Sequence, residues 1–228
     1  VALFFALWQL GAVVVPAHLS LKHEQVAHIA KDCQASLVVV ESSRLQGYVT
    51  NQPDVVFAVL NDDALQSSAE QITNAKPEGA TLYKCGSTAG PVCRPDIQPS
   101  DIAALMYTSG STGLPKGVVL SHQNLMLGAC AVVDYLQLSA SDVILAALPF
   151  SFDYGLSQLL AALWADATVV LHDYLLAPEL IRVASKYQVT VLAAVPPLWQ
   201  ALSQARWPDT TASQLRVWTN SGGALHPG

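Results

Sequence analysis

Thr108-Ser-Gly-Ser-Thr-Gly-Leu-Pro-Lys-Gly117 gathers four hydroxyls, three glycines and one lysine directly behind the apolar run Ile102-Ala-Ala-Leu-Met-Tyr107. Glycine lets backbone N–H groups approach an anion closely, Ser and Thr add rotatable donors, and lysine sets positive charge against a polyphosphate. The run before the stretch predicts a buried strand, and Gly117-Val-Val-Leu120 after it predicts a second. A Walker-type loop requires Gly-Lys-Ser/Thr opening a helix. Here Pro115 precedes Lys116 and Gly117 follows it, so that spacing is not met.

Working outward, helical and strand-like segments alternate. Val1 to Leu10 and His23 to Gln34 carry helical periodicity, while Ala12-Val-Val-Val15, Leu37-Val-Val-Val40 and Val55 to Leu60 are short apolar runs. Beyond the loop, helices are predicted over Gln123–Leu136, Tyr154–Trp164, Pro178–Tyr187 and Pro197–Ala205. Strands are predicted over Val143–Leu148, Thr168–Leu171, Val189–Val195 and Leu215–Thr219. Strands that are continuously apolar are those buried on both faces of a parallel sheet, so the fold class is α/β, with doubly wound, mostly parallel sheets and flanking helices. Residues 61–99 break the alternation: they are rich in Asn, Asp, Gln, Ser, Gly and Pro, with Leu82 and Tyr83 as the apolar anchors, and are read as a linker or long excursion. Gly86-Ser-Thr-Ala-Gly90 inside it imitates the loop but lacks the lysine, and is read as a turn. The organisation expected is a first α/β portion over 1–99 ending in this linker and a loop-bearing α/β portion over 100–228.

With 228 residues, 52% of them hydrophobic, the chain can bury a sizeable core. A net charge of −6 without a basic cluster argues against nucleic acid or an anionic membrane surface as partner. Val1 to Val15 is uncharged but lacks a basic leader, contains Gln9 and Gly11, and meets Pro16 before a membrane span is complete. Cys33, Cys85, Cys93 and Cys130 form no CxxC pair, suggesting neither zinc nor a disulfide framework, and a reducing, cytoplasmic setting. His23 and His28 do not share a helical face, so no metal ligand set is assigned.

The segment Tyr107 to His122 closely resembles the phosphate-loop signature of the adenylate-forming ligases, the superfamily of acyl-CoA synthetases, amino-acid adenylation domains and luciferases. The resemblance implies that Thr108, Ser109, Gly110, Ser111, Thr112, Gly113 and Lys116 hold the ATP polyphosphate, with Lys116 also counted as catalytic. It implies that Gly222, Gly223 and Ala224, in Thr219-Asn-Ser-Gly-Gly-Ala-Leu225, lie under the adenine and the acyl-adenylate. In Leu148-Pro-Phe-Ser-Phe-Asp-Tyr-Gly155 it implies an acyl pocket with Phe152 as gate and Tyr154 beside it. Phe152-Asp153 also looks like the pair by which amino-acid adenylation domains hold a substrate ammonium, although Asp153 can equally cap the helix that follows. The family's Pro after this Ala is displaced here by Leu225-His226, so His226 receives no role. His122 is read as a structural residue at the start of a helix.

The activity so implied is ATP-dependent conversion of a carboxylic acid to acyl-AMP with release of pyrophosphate, then transfer to a thiol of CoA or of carrier-protein phosphopantetheine, with Mg²⁺ assisting. The alternatives are an amino-acid adenylation domain loading a carrier protein, and a catalytically inactive nucleotide-binding relic. The family's Tyr-Gly-x-Thr-Glu segment, ribose-binding Asp and C-terminal catalytic lysine have no counterpart before Gly228. The resemblance therefore implies an N-terminal-domain fragment that would not adenylate alone.

Overall fold

Short runs of β-branched and apolar residues become the strands of two parallel sheets. The computed structural model describes residues 1–41, 57–60, 82–84, 95–109, 115–174 and 176–225. Residues 110–114 of the loop, the turn expected at 86–90, Cys85, Cys93 and His226 lie outside the described residues. Val1–His18, Asp96–Met106 and Val118–Gly228 group into one unit, Leu19–Pro95 and Tyr107–Gly117 into another. The chain thus crosses between units near residues 18, 95, 106 and 117.

In the smaller unit, helix α2 (His23–Asp32) buries Val26, Ile29 and Ala30, the i, i+3, i+4 stripe of an amphipathic helix. The strands β1 (Val38–Glu41), β2 (Phe57–Leu60) and β3 (Leu82–Lys84) follow in that order, all parallel, with Phe57 opposite Val38 and Leu82. Strand β3 corrects the linker expectation: the two apolar anchors of the polar stretch are a strand, too short to show any period.

In the larger unit, β6 (Val143–Ala146), β7 (Thr168–Leu171), β8 (Val191–Ala194) and β9 (Val217–Asn220) form a parallel sheet in the order β7-β6-β8-β9. The helices α4 (Asp153–Trp164), α5 (Ala177–Lys186), α6 (Pro196–Ser203) and α7 (Asp209–Gln214) supply the crossovers. The last is absent from the sequence expectation, because Asp-Thr-Thr-Ala-Ser-Gln carries no apolar period. Leu145, Leu180, Leu192, Leu198 and Leu202 form one core cluster. Helix α4 serves two others: Leu156 and Leu159 join Trp8, Val14, Ala103 and Met106, and Ala161 and Ala162 join Leu138, Ile144 and Val191. The Trp8 indole, on α1 (Ala2–Gln9), donates to the Ala103 carbonyl at 2.8 Å. Val14 makes one parallel bridge to Ala104 in place of the strand expected at 12–15. Strands β4 (Ile102–Ser109) and β5 (Pro115–Ser121) pair with each other and run through both units, and α3 (His122–Leu136) follows, its N-terminus capped by Ser121 accepting from the Asn124 amide at 3.1 Å.

The N-terminal edge of the larger sheet is fastened by an ion pair between the buried Asp142 and the exposed Arg216. Asp142, Thr190 and Arg216 each immediately precede a strand. Arg216 Nε and Nη2 donate to the two carboxylate oxygens of Asp142 at 2.7 and 2.5 Å, and Thr190 Oγ1 donates to Oδ1 at 2.8 Å. Asp142 is 1% exposed. The Arg216 guanidinium first, then the hydrogen bonds from Thr190 and Ser139, outweigh burial and bring its pKa down to about 2. A depressed carboxylate contributes stability that is present above the unfolded pKa and lost as pH falls through the folded one. Asp142→Asn should therefore lower stability by about 2 kcal/mol at neutral pH, with the gap to the parent closing between roughly pH 4 and 2. Urea unfolding followed by tryptophan fluorescence checks this, since Trp218 lies two residues past Arg216; a gap independent of pH would refute it.

Candidate functional site

The order β7-β6-β8-β9 reverses direction between β6 and β8, and ligands of open parallel sheets bind in the crevice beyond the carboxyl ends of the strands at such a point. The segment leaving β6 there is Ala147-Leu-Pro-Phe-Ser-Phe152. It turns sharply, with the Phe152 amide donating to the Pro149 carbonyl at 3.1 Å, and opens α4. Close approach makes the turn possible: at Gly155 a Cβ would come within 2.2 Å of the Pro149 oxygen.

Phe152 is 55% exposed, and its ring meets that of His18 with centroids 5.6 Å apart. Asp153 is the first residue of α4, exposed, with Oδ1 accepting from the Tyr154 amide at 2.7 Å; the cap position belongs to Phe152, so the capping alternative is corrected to a first-turn acid. The exposed carboxylate thus sits at the positive end of the helix. Tyr154 is half-buried and hydrogen-bonds through its hydroxyl to Thr219 Oγ1 at the end of β9. Burial raises the phenol pKa and the Thr219 bond partly opposes this.

From β9 the chain continues through Ser221 to Ala224, all exposed. Asn220 Nδ2 closes the turn on the Gly223 carbonyl at 2.8 Å, and Gly222 takes φ +84°, a left-handed conformation that suits glycine. Trp199, on α6, donates its indole N–H to the Thr219 carbonyl at 3.0 Å and stacks on Trp218 with centroids 5.3 Å apart. Tyr154 and the Gly222-Gly223-Ala224 turn are thus brought to one edge of the sheet. Thr219, which bonds Tyr154, and Trp199, which braces Thr219, were given no role from sequence; no local pattern marks a partner 65 residues away.

In the smaller unit, Thr108 is exposed on β4 and Lys116 is exposed on β5. Ser109 ends β4. The ring of Tyr107 lies against Gly117, where a Cβ would come 3.2 Å from Cζ. In the larger unit, His122 is the first residue of α3, its ring 6.4 Å from that of Trp8. Cys33 and Cys130 are free thiols. Among the described residues there is no group of three His, Cys, Asp or Glu side chains suited to a metal ion, and no helix long and apolar enough to cross a membrane.

The whole chain, residues 1–228, matches the family described as AMP-binding enzyme. A component of the linear gramicidin synthase of Brevibacillus parabrevis is 31% identical over 209 residues, which cover 90% of this chain and 2% of that polypeptide. The 4-coumarate–CoA ligase of Pinus taeda is 33% identical over 193 residues, covering 82% of this chain and 34% of the ligase. Among solved structures, the complex of VinN with L-aspartate matches with a TM-score of 0.73 at 27% identity, over 99% of this chain and 54% of VinN. The chain therefore spans between 2% and 54% of these three proteins.

Proposed function

The chain belongs to the AMP-binding enzyme family, and on that premise we propose that it forms the part of an adenylate-forming ligase that brings ATP and a carboxylic acid together. A carboxylate oxygen of the acid attacks the α-phosphorus of ATP, the bond from that phosphorus to the bridging oxygen breaks, and pyrophosphate leaves with the electron pair. A thiol of CoA or of a carrier protein then attacks the acyl carbon, AMP departs, and the thiol proton passes to solvent. Little acid–base catalysis is required. Two anions must be held together and charge at the α-phosphate stabilised, which is positioning and electrostatics.

The residues divide those tasks. Thr108, Ser109, Gly110, Ser111, Thr112, Gly113 and Lys116 take the polyphosphate with hydroxyl, amide and ammonium donors. Gly222, Gly223 and Ala224 offer a flat backbone surface to the adenine, and Phe152 and Tyr154 bound the acid. These donor sets suit phosphate oxygens and supply no carboxylate cage. Mg²⁺ would ride on the triphosphate and add charge neutralisation there. The observation that carries the reading is the Tyr154–Thr219 hydrogen bond, which joins the acid segment to the nucleotide turn at the ligand-binding edge of a parallel sheet.

Pyrophosphate exchange by the complete polypeptide, across fatty, aromatic and amino acids, tests it; no exchange with any acid would leave the inactive relic standing. A second reading, amino-acid activation for a carrier protein, is favoured by the solvent-facing Asp153 carboxylate and by the similarity to gramicidin synthase. A substrate ammonium paired with Asp153 would lose its partner in Asp153→Ala. On that reading kcat/KM for amino acids should fall by roughly 10²-fold or more while other acids are unaffected. Equal losses for both acid classes would reject the pairing.

A further inference from the structure

We propose that Asp32 is a positioning residue for Thr108 and Lys116, acting through the Tyr107 hydroxyl. The inference rests on the reading of Thr108 to Lys116 given above. Asp32 ends helix α2, and its Oδ2 accepts the Tyr107 O–H at 2.5 Å. Tyr107 lies in β4 one residue before Thr108, and its ring faces Gly117 of β5, one residue after Lys116. A Cβ added at Gly117 would meet Cζ at 3.2 Å and Cε2 and Oη at 3.4 Å. One phenol therefore touches the end of α2 and both strands that flank the loop, and all of these residues belong to the smaller unit.

A phenol donating to a carboxylate makes one of the shorter and stronger hydrogen bonds, and it fixes the ring in the plane that the open face of Gly117 admits. Burial, then the bond to Asp32, raises the Tyr107 pKa, so the hydroxyl stays a donor throughout the physiological range. With the ring fixed, the spacing of the two strands is fixed beside Thr108 near the end of one and Lys116 near the start of the other. The geometry of polyphosphate donors tolerates little displacement, since an error of about 1 Å can cost about 10²-fold in rate.

The test is steady-state pyrophosphate exchange by the complete polypeptide, paired with calorimetric titration of ATP, in Tyr107→Phe, Asp32→Ala, Asp32→Asn and the double variant Tyr107→Phe/Asp32→Ala. The expected result is a roughly 10-fold weakening of ATP binding and rise in its KM in Tyr107→Phe and Asp32→Ala, with the KM of the acid unchanged. Asp32→Asn, which keeps an acceptor oxygen, should recover most of the loss, and the double variant should be no worse than the weaker single one. A purely structural fastening would lower the melting temperature and shift the KM of acid and ATP together, which would overturn the proposal. So would parent-like ATP binding in both single variants. If the parent binds no ATP and exchanges no pyrophosphate, the reading of the loop itself falls, and this proposal with it.

Discussion

Lys116→Met is expected to lower kcat/KM for ATP in pyrophosphate exchange by on the order of 10²- to 10³-fold while leaving the melting temperature within a degree or two of the parent. Two features make the outcomes separable. Lys116 is exposed on β5, so the substitution opens no cavity and strands no buried partner. The chain carries 17 acidic against 11 basic residues, so a triphosphate meets an unfavourable background and depends on a cation held next to the hydroxyls. Methionine keeps the length and removes only the charge. Lys116→Arg should fall between the two, because a planar guanidinium fork keeps the charge but not the compact geometry of an ammonium. As a control, Lys186→Met, which removes an ammonium 4.9 Å above the Tyr187 ring, should leave exchange unchanged. An exchange rate for Lys116→Met within about threefold of the parent would show that the triphosphate is not held there.

The βα alternation of the larger unit was legible because strands buried on both faces must be apolar throughout, as Val143–Ala146 and Val191–Ala194 are, while the edge strand Thr168–Leu171, half-buried only at its middle, is marked by its β-branched residues. Where the boundaries moved, the backbone had another use for the residues. Val189 reads as strand and is fully buried, yet its amide donates to the Ala184 carbonyl and closes the end of α5, so β8 starts two residues later. Elements of three to six residues such as β3 and α7 show no period at all. Their existence depends on an available sheet edge or a preceding proline, not on their own pattern.

The site divides in the same way. Phe152-Asp153-Tyr154 and Gly222-Gly223-Ala224 were proposed from sequence because each is a contiguous string in a segment that follows a strand. The contacts that join and brace them could not. Tyr154 with Thr219, Asp142 with Arg216 and Asp32 with Tyr107 are separated by 65, 74 and 75 residues, and only the sheet order and the strand register decide which strand ends meet. Asp142 and Arg216 are ordinary surface-type residues by composition. What makes Asp142 part of the core is that three strands begin beside it.

Gly155→Ala should be the most damaging small substitution in the larger unit, although helix propensity alone predicts a gain of about 1 kcal/mol for removing a glycine from a helix. Propensity assumes an open flank. Here the new methyl would fall 2.2 Å from the Pro149 oxygen, 2.7 Å from the Leu148 oxygen and 2.7 Å from the Pro149 carbonyl carbon. All three are backbone atoms, so no rotamer change relieves the clash. Either α4 withdraws from its contacts with the sheet and with the Trp8 cluster, or the turn over Pro149–Phe152 opens. Overpacking of this kind costs about 3 kcal/mol or more, a large share of the roughly 5–15 kcal/mol that holds a domain together. The two responses are distinguishable. Withdrawal of the helix carries Asp153 and Tyr154 with it and lowers the urea midpoint steeply, whereas opening of the turn moves Phe152 at the helix entrance and raises the acid's KM with a smaller fall in the midpoint. Because Leu156 and Leu159 anchor α4 in the core at 2% and 1% exposure, the turn is the softer element, and the loss should fall more heavily on acid binding than on the fold. A Gly155→Ala protein with a parental midpoint and parental KM would mean that the turn over Pro149 is not built as described.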